Sequence, residues 1–112
     1  MSNLAEHKCT PCEGGVAPLT RAQAETRLGE LAAGWQLAAD GASLVREFRF
    51  ADFLRTMSFV NALAHVANIE DHHPDLEVGY HYCRVRYSTH AIGGLSDNDF
   101  ICAAKIDRIA LS

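Results

Sequence analysis

Two short stretches, Glu70-Asp71-His72-His73-Pro74 and Ser88-Thr89-His90, hold three of the chain's six histidines. Proline disfavours helical geometry in the residue before it, so Pro74 is expected to stop a helix at His73. His72 and His73 would then sit at a helix C-terminus, beside unpaired carbonyls that carry partial negative charge. His90 closes an alternating run, Arg84-Val85-Arg86-Tyr87-Ser88-Thr89, that reads as a strand. Imidazoles delivered by a helix end and a strand end, able to carry protons near neutral pH, read as a site.

Several chemistries could use them. Three histidines can ligate a metal, but ligand pairs usually stand at i, i+4 on a helix or i, i+2 on a strand, and adjacent residues at a helix end diverge by about 100°. No metal is therefore expected. Nucleophilic catalysis lacks a Ser or Cys in a strained glycine-flanked turn, and Cys83 falls inside a strand. General acid–base chemistry fits better, because one imidazole can donate a proton while another accepts one. A plain structural role, three histidines that cap and pack, stays open on spacing alone.

The elements that must position these residues can be read around them. Thr20 with Gln23 forms a capping box opening a first helix, whose apolar stripe is Ala24, Leu28 and Leu31 and whose left-handed end is Gly34. Trp35 to Ala38 reads as a short strand, Asp40-Gly41 as a hairpin turn, and Ser43 to Phe50 as the return strand with Leu44, Phe48 and Phe50 facing the core. Residues 52–73 form the longest helical pattern, with Phe53, Met57, Val60, Ala64 and Ala67 as its stripe and Phe59, Leu63 and Val66 widening it. Leu76 to His81 and Tyr82 to Thr89 are two further strands, and Gly93-Gly94 turns the chain. Ser96 caps a last helix, with Asp99 at its third position. The order α-β-β-α-β-β-α predicts an α+β fold: a four-stranded antiparallel sheet with three helices on one face.

Composition narrows the function classes. With 112 residues the chain makes one domain, and its net charge of −4 without a basic block argues against a nucleic-acid surface. No apolar run reaches the ~18 residues of a membrane span. The start of the chain lacks a signal-peptide pattern, so a cytoplasmic location with reduced cysteines is expected. Residues 1–17 read as a flexible arm before a single domain at 18–112. Cys9-Thr10-Pro11-Cys12 within it could be half a zinc site with His7, or a redox pair. No second pair follows, and a tail with two incidental thiols is the favoured reading.

Asp71-His72-His73-Pro74, with five residues to Tyr80, nine to His90 and eight to Asp99, resembles the signature of the pterin-4a-carbinolamine dehydratases. Ser88-Thr89-His90 and Gly93-Gly94-Leu95-Ser96 resemble that family too, as does the chain from Leu19 to about Ala110 in length and element order. The resemblance implies a hydro-lyase that converts 4a-hydroxytetrahydropterin to quinonoid dihydropterin, recycling the pterin of aromatic amino-acid hydroxylases without a cofactor of its own. It implies His72 and His90 as an acid–base pair on opposite sides of the pterin, with His73 chiefly orienting it. Asp99 would help hold His90, or simply cap its helix. Glu70, Asp71, Ser88 and Thr89 would support the site or contact substrate. Two departures concern substrate contacts: Asn68 stands where some members carry a carboxylate, and Leu76 where a tryptophan is frequent. As partners, the resemblance implies a second copy of the chain, in a homodimer or homotetramer, and a functional link to a hydroxylase. An alternative is a non-catalytic binding or assembly module, such as a dimerisation cofactor of a transcription factor.

Overall fold

The computed structural model describes residues 3–11 and 17–110. Its main elements are α1 (Arg21–Leu28), β1 (Gln36–Leu37), β2 (Leu44–Arg49), α2 (Phe53–Glu70), β3 (Asp75–Val78), β4 (Tyr82–Tyr87) and α3 (Asp97–Ala110), with short 3-10 turns at Leu4–Glu6 and His90–Ile92. The α-β-β-α-β-β-α order and the α+β class are as the sequence predicts. All strand pairs are antiparallel, in the spatial order β1-β2-β4-β3. Pairing of Leu44 with Tyr87 and of Phe48 with Cys83 puts these side chains on one face of the sheet. There they are buried with Phe59 and Leu63 of α2 and Phe100, Cys102 and Ile106 of α3. This face is the apolar half of the alternation in β2 and β4.

Helix ends differ from the sequence reading where a backbone conformation overrides composition. The Thr20–Gln23 capping box forms in both directions, but α1 stops at Leu28 with Gly29 as its cap. Glycine is a weak helix former, and the chain continues through turns to Gly34, which does take a positive φ of 113°. A Cβ there would come within 2.9 Å of the Arg46 guanidinium nitrogen Nε. Similarly, α2 ends at Glu70 and not at His73. Asp71 adopts the left-handed conformation (φ 50°, ψ 44°), and the His72 amide donates to the Ala67 carbonyl at 3.1 Å, a Schellman-type closure. Asp is among the few residues besides Gly that enter this region. Pro74 thus follows a helix already closed.

The buried face of α2 is Thr56, Phe59, Leu63 and Ala67, rotated by about one position from the expected stripe. Phe53 is half exposed and Ala64 is exposed. Thr56 takes the core position because its single hydroxyl proton is shared between the Asp52 carbonyl at 2.8 Å and the Tyr80 carbonyl at 2.9 Å. A buried hydroxyl whose proton has a partner costs little.

Within the arm expected at 1–17, residues 3–11 lie against α3. Leu4 enters the core, and Lys105 Nζ donates to the Ala5 carbonyl at 2.9 Å. One apolar anchor and several hydrogen bonds to the backbone connect these residues to α2 and α3. Cys12 lies outside the described residues.

Candidate functional site

Closure of α2 at Asp71 puts His72 just beyond the helix, its amide already spent on Ala67. The ring then lies flat against Tyr87 of β4, with centroids 5.2 Å apart and planes 7° from parallel. The Tyr87 hydroxyl donates to the His72 carbonyl at 3.3 Å. On its edge, His72 Nε2 meets Asp99 Oδ1 at 2.6 Å, a distance typical of charge-assisted bonds. Asp99 is fully buried at the start of α3. Its second oxygen accepts from the Thr89 hydroxyl and the Ser96 amide, both at 2.9 Å. The Ser96 bond is the helix-capping role expected of Asp99. The expected contact with His90 is not made: Asp99 holds His72.

Electrostatics at His72 are a contest. Burial pulls the imidazole pKa down, while the hydrogen bond and charge of Asp99, with smaller help from Cys102 and Asp71, push it up, and the sum lies above the ordinary value. Asp99 thus shifts His72 toward its protonated form relative to a free imidazole.

His73 and His90 are exposed and border the same cleft as His72. His73 Nε2 lies 3.4 Å from Asn68 Oδ1, so the residue replacing a carboxylate still touches this ring. His90 opens a 3-10 turn after β4, and its side chain makes no hydrogen bond or ion pair with the described residues. The cleft measures about 490 Å³, within the usual range for small-molecule sites. Its lining includes Glu70, Asp71, Ser88 and Thr89 beside the three histidines. Every sequence-predicted site residue except buried Asp99 is thus at its surface, and Asp99 reaches it through His72. Tyr80 is not part of it; its ring stacks on Phe53 at 6.3 Å.

Sequence reasoning missed five contributors: Tyr87, Cys9, Thr10, Pro11 and Asn98. Tyr87 supports the His72 ring from the core face of β4; its place two residues before Thr89 was the available signal. Cys9, Thr10 and Pro11 border the cleft together with Asn98, and nothing in the sequence linked that segment to α3. Glu70, expected to support the site, accepts from the Cys9 amide at 2.8 Å and lies 3.7 Å from Lys105 Nζ. Cys9 Sγ lies 3.4 Å from Cys102 Sγ. The contact with Cys102, then burial, pushes the Cys9 thiol well up. Burial alone pushes Cys83, on the sheet, up to about 11. No group of three or more metal-ligating side chains occurs among the described residues.

A family model described as pterin 4 alpha carbinolamine dehydratase matches residues 17–109. A Nitrosomonas eutropha protein provisionally named a pterin-4-alpha-carbinolamine dehydratase is 58% identical over 110 residues, covering 98% of this chain and 96% of that one. A Legionella pneumophila (strain Corby) protein of the same name is 52% identical, covering 96% of each chain. Among solved structures, a transcriptional coactivator/pterin dehydratase from Brucella melitensis superposes with a TM-score of 0.79 at 31% identity, covering 83% of this chain and 98% of that one. A pterin dehydratase-like RuBisCO assembly factor of the alpha-carboxysome shares the fold, with a TM-score of 0.62 at 22% identity over 70% of this chain and 92% of that one.

Proposed function

Because the chain belongs to the pterin 4 alpha carbinolamine dehydratase family, we propose that its cleft dehydrates 4a-hydroxytetrahydropterin to quinonoid dihydropterin by histidine acid–base catalysis. The observation that carries this reading is the buried Asp99 carboxylate on His72 Nε2 at 2.6 Å, in a cleft shared with His73 and His90. A carboxylate in that position fixes the imidazole tautomer and favours the imidazolium. Nδ1 is then the ring nitrogen left to exchange a proton with a bound molecule.

The reaction needs two proton transfers. Hydroxide is a poor leaving group, so one imidazolium protonates the C4a hydroxyl, which departs as water. The N5–H proton passes to a neutral imidazole, and its electron pair closes the C4a=N5 bond. His72, charged through Asp99, suits the donor role; His90 on the exposed turn suits the acceptor. For the opposite 4a stereoisomer the two exchange roles. His73 binds and orients the ring system. No step calls for a redox group or a metal.

Freshly generated 4a-hydroxytetrahydrobiopterin, supplied to the purified chain, should lose water faster than its unaided rate. The acceleration should largely vanish in His72→Ala. A rate that depends on added divalent metal, or no acceleration at all, sinks this reading.

A second reading, a binding module, draws on the exposed apolar side chains Phe53, Leu54 and Ile69 of α2. These also suit a homodimer or homotetramer built from copies of this chain. Light scattering at micromolar concentration tests the assembly, and dehydratase turnover separates enzyme from pure adaptor.

A further inference from the structure

The N-terminal segment is fastened beside the cleft in a way that packing alone does not require. Asn98, buried on the first turn of α3, uses its side-chain amide as a strand would use its backbone. Its Oδ1 accepts from the Thr10 amide at 3.0 Å, and its Nδ2 donates to the Thr10 carbonyl at 2.6 Å. One residue earlier, the Cys9 amide donates to Glu70 Oε1 at 2.8 Å, and Cys9 Sγ touches Cys102 Sγ. Two consecutive residues are thus pinned at their backbones by side chains from α2 and α3, across sequence separations of 61 and 88. Leu4 already anchors the segment to the core. What the extra bonds fix is the border of the cleft: Cys9, Thr10 and Pro11 line it together with the α2 end, the β4 turn and Asn98.

We propose that Cys9, Thr10 and Pro11 form the third wall of the substrate site and set its affinity for the fused-ring heterocycle, with Asn98 and Glu70 as positioning residues. This rests on the dehydratase reading for the identity of the ligand. The wall is made of a prolyl ring, a threonine and the backbone of Cys9, whose thiol is turned onto Cys102, a mixed apolar and polar border suited to a ring with apolar faces and polar edges. It touches neither Asp99 nor His72 through any hydrogen bond, so it contributes to binding in ground and transition states alike.

Such a contribution appears in KM and not in kcat. The test uses the full chain with Asn98→Ala and, separately, Thr10→Pro, which removes the amide that Asn98 accepts from but leaves Asn98 in place. Three quantities are read: turnover of 4a-hydroxytetrahydrobiopterin, the Kd of 7,8-dihydrobiopterin as a non-reacting probe, and the thermal midpoint. Loss of a hydrogen-bonded latch should raise KM and Kd by roughly five- to tenfold, with kcat within about twofold of the parent. Unchanged KM and Kd with a lowered midpoint would show a merely structural segment and overturn the proposal, as would a fall confined to kcat. If Asn98→Ala does not fold, Thr10→Pro decides alone, since it alters an exposed position. A parent chain that binds the probe but does not turn over defeats the dehydratase reading, while the Kd of the variants still judges the wall.

Discussion

Asp99 and Asp107 both lie buried on α3, and each holds a partner from across the fold, yet the partners differ in whether they can give up a proton. Asp107 accepts from Trp35 Nε1 at 2.9 Å and from Arg46 Nη1 at 2.8 Å. Neither donor titrates in the range where proteins work. Burial lifts the Asp107 carboxyl, Trp35 and Arg46 pull it back, and it stays above the ordinary value. That end of the helix is a fastening between α3, Trp35 just before β1, and β2. Asp99 instead faces an imidazole, a group that can give up and take back a proton, at the edge of a cleft. The same residue type on the same helix thus becomes structural or chemical according to what it is bonded to.

The sharpest way to break this contrast is to remove the titrating partner. His72→Ala should slow dehydration by about 10²–10⁴, the usual span of general acid–base catalysis, with residual activity because the hemiaminal also dehydrates unaided. His90→Ala should fall in the same span, but the two variants should differ in which 4a stereoisomer they retain. Equal preference for both isomers in each variant would remove the case for carriers on opposite sides of the ring.

Next in size come the carboxylates themselves. Asp99→Asn keeps the shape but loses the charge on His72, and should lower kcat by about ten- to a hundredfold, as loss of an orienting partner does elsewhere. Asp107→Ala should leave kcat per folded molecule unchanged and lower stability by about 1–3 kcal/mol, because the buried indole N–H of Trp35 is stranded. Urea titration beside the dehydratase assay separates the two outcomes. A kcat loss at Asp107 as large as that at Asp99 would erase the distinction.

Much of this was legible before any coordinates. The Thr20–Gln23 box, the Asp40-Gly41 turn and the alternation of Cys83, Val85 and Tyr87 are local signals, and local signals fixed the element order and the core face of the sheet. His72, His73 and His90 sat at the ends of such elements, so their meeting could be foreseen. Helix ends were less legible, since Asp71 in the left-handed region outranked Pro74 as the stop for α2. Least legible were pairings set by tertiary packing. Asp99 could have reached either histidine, and only the seating of α3 against Tyr87 decides for His72. The Asn98–Thr10 latch joins residues 88 apart, with no pattern at either end to announce it.

The smallest effect expected is a pH dependence of stability, and its sign follows from His72. Its folded-state pKa is raised above the unfolded value, so the folded chain binds this proton more tightly than the unfolded chain. The resulting stabilisation is fully present below the ordinary imidazole value of about 6.5 and is lost as pH rises through the folded value. Because burial opposes Asp99, only the surplus of attraction over desolvation appears, which keeps the effect small. Asp99→Asn removes the attraction and leaves the burial, so its His72 should titrate lower, the slope above pH 6.5 should flatten, and any rise of stability with pH should lie below about 6.5. Imidazole proton shifts followed by NMR during a pH titration, read beside urea midpoints at each pH, measure both quantities in one protein. A parent chain whose stability rises with pH below about 6.5, with His72 titrating below the ordinary value, would mean that burial outweighs Asp99 and that His72 enters the cleft neutral, as a base.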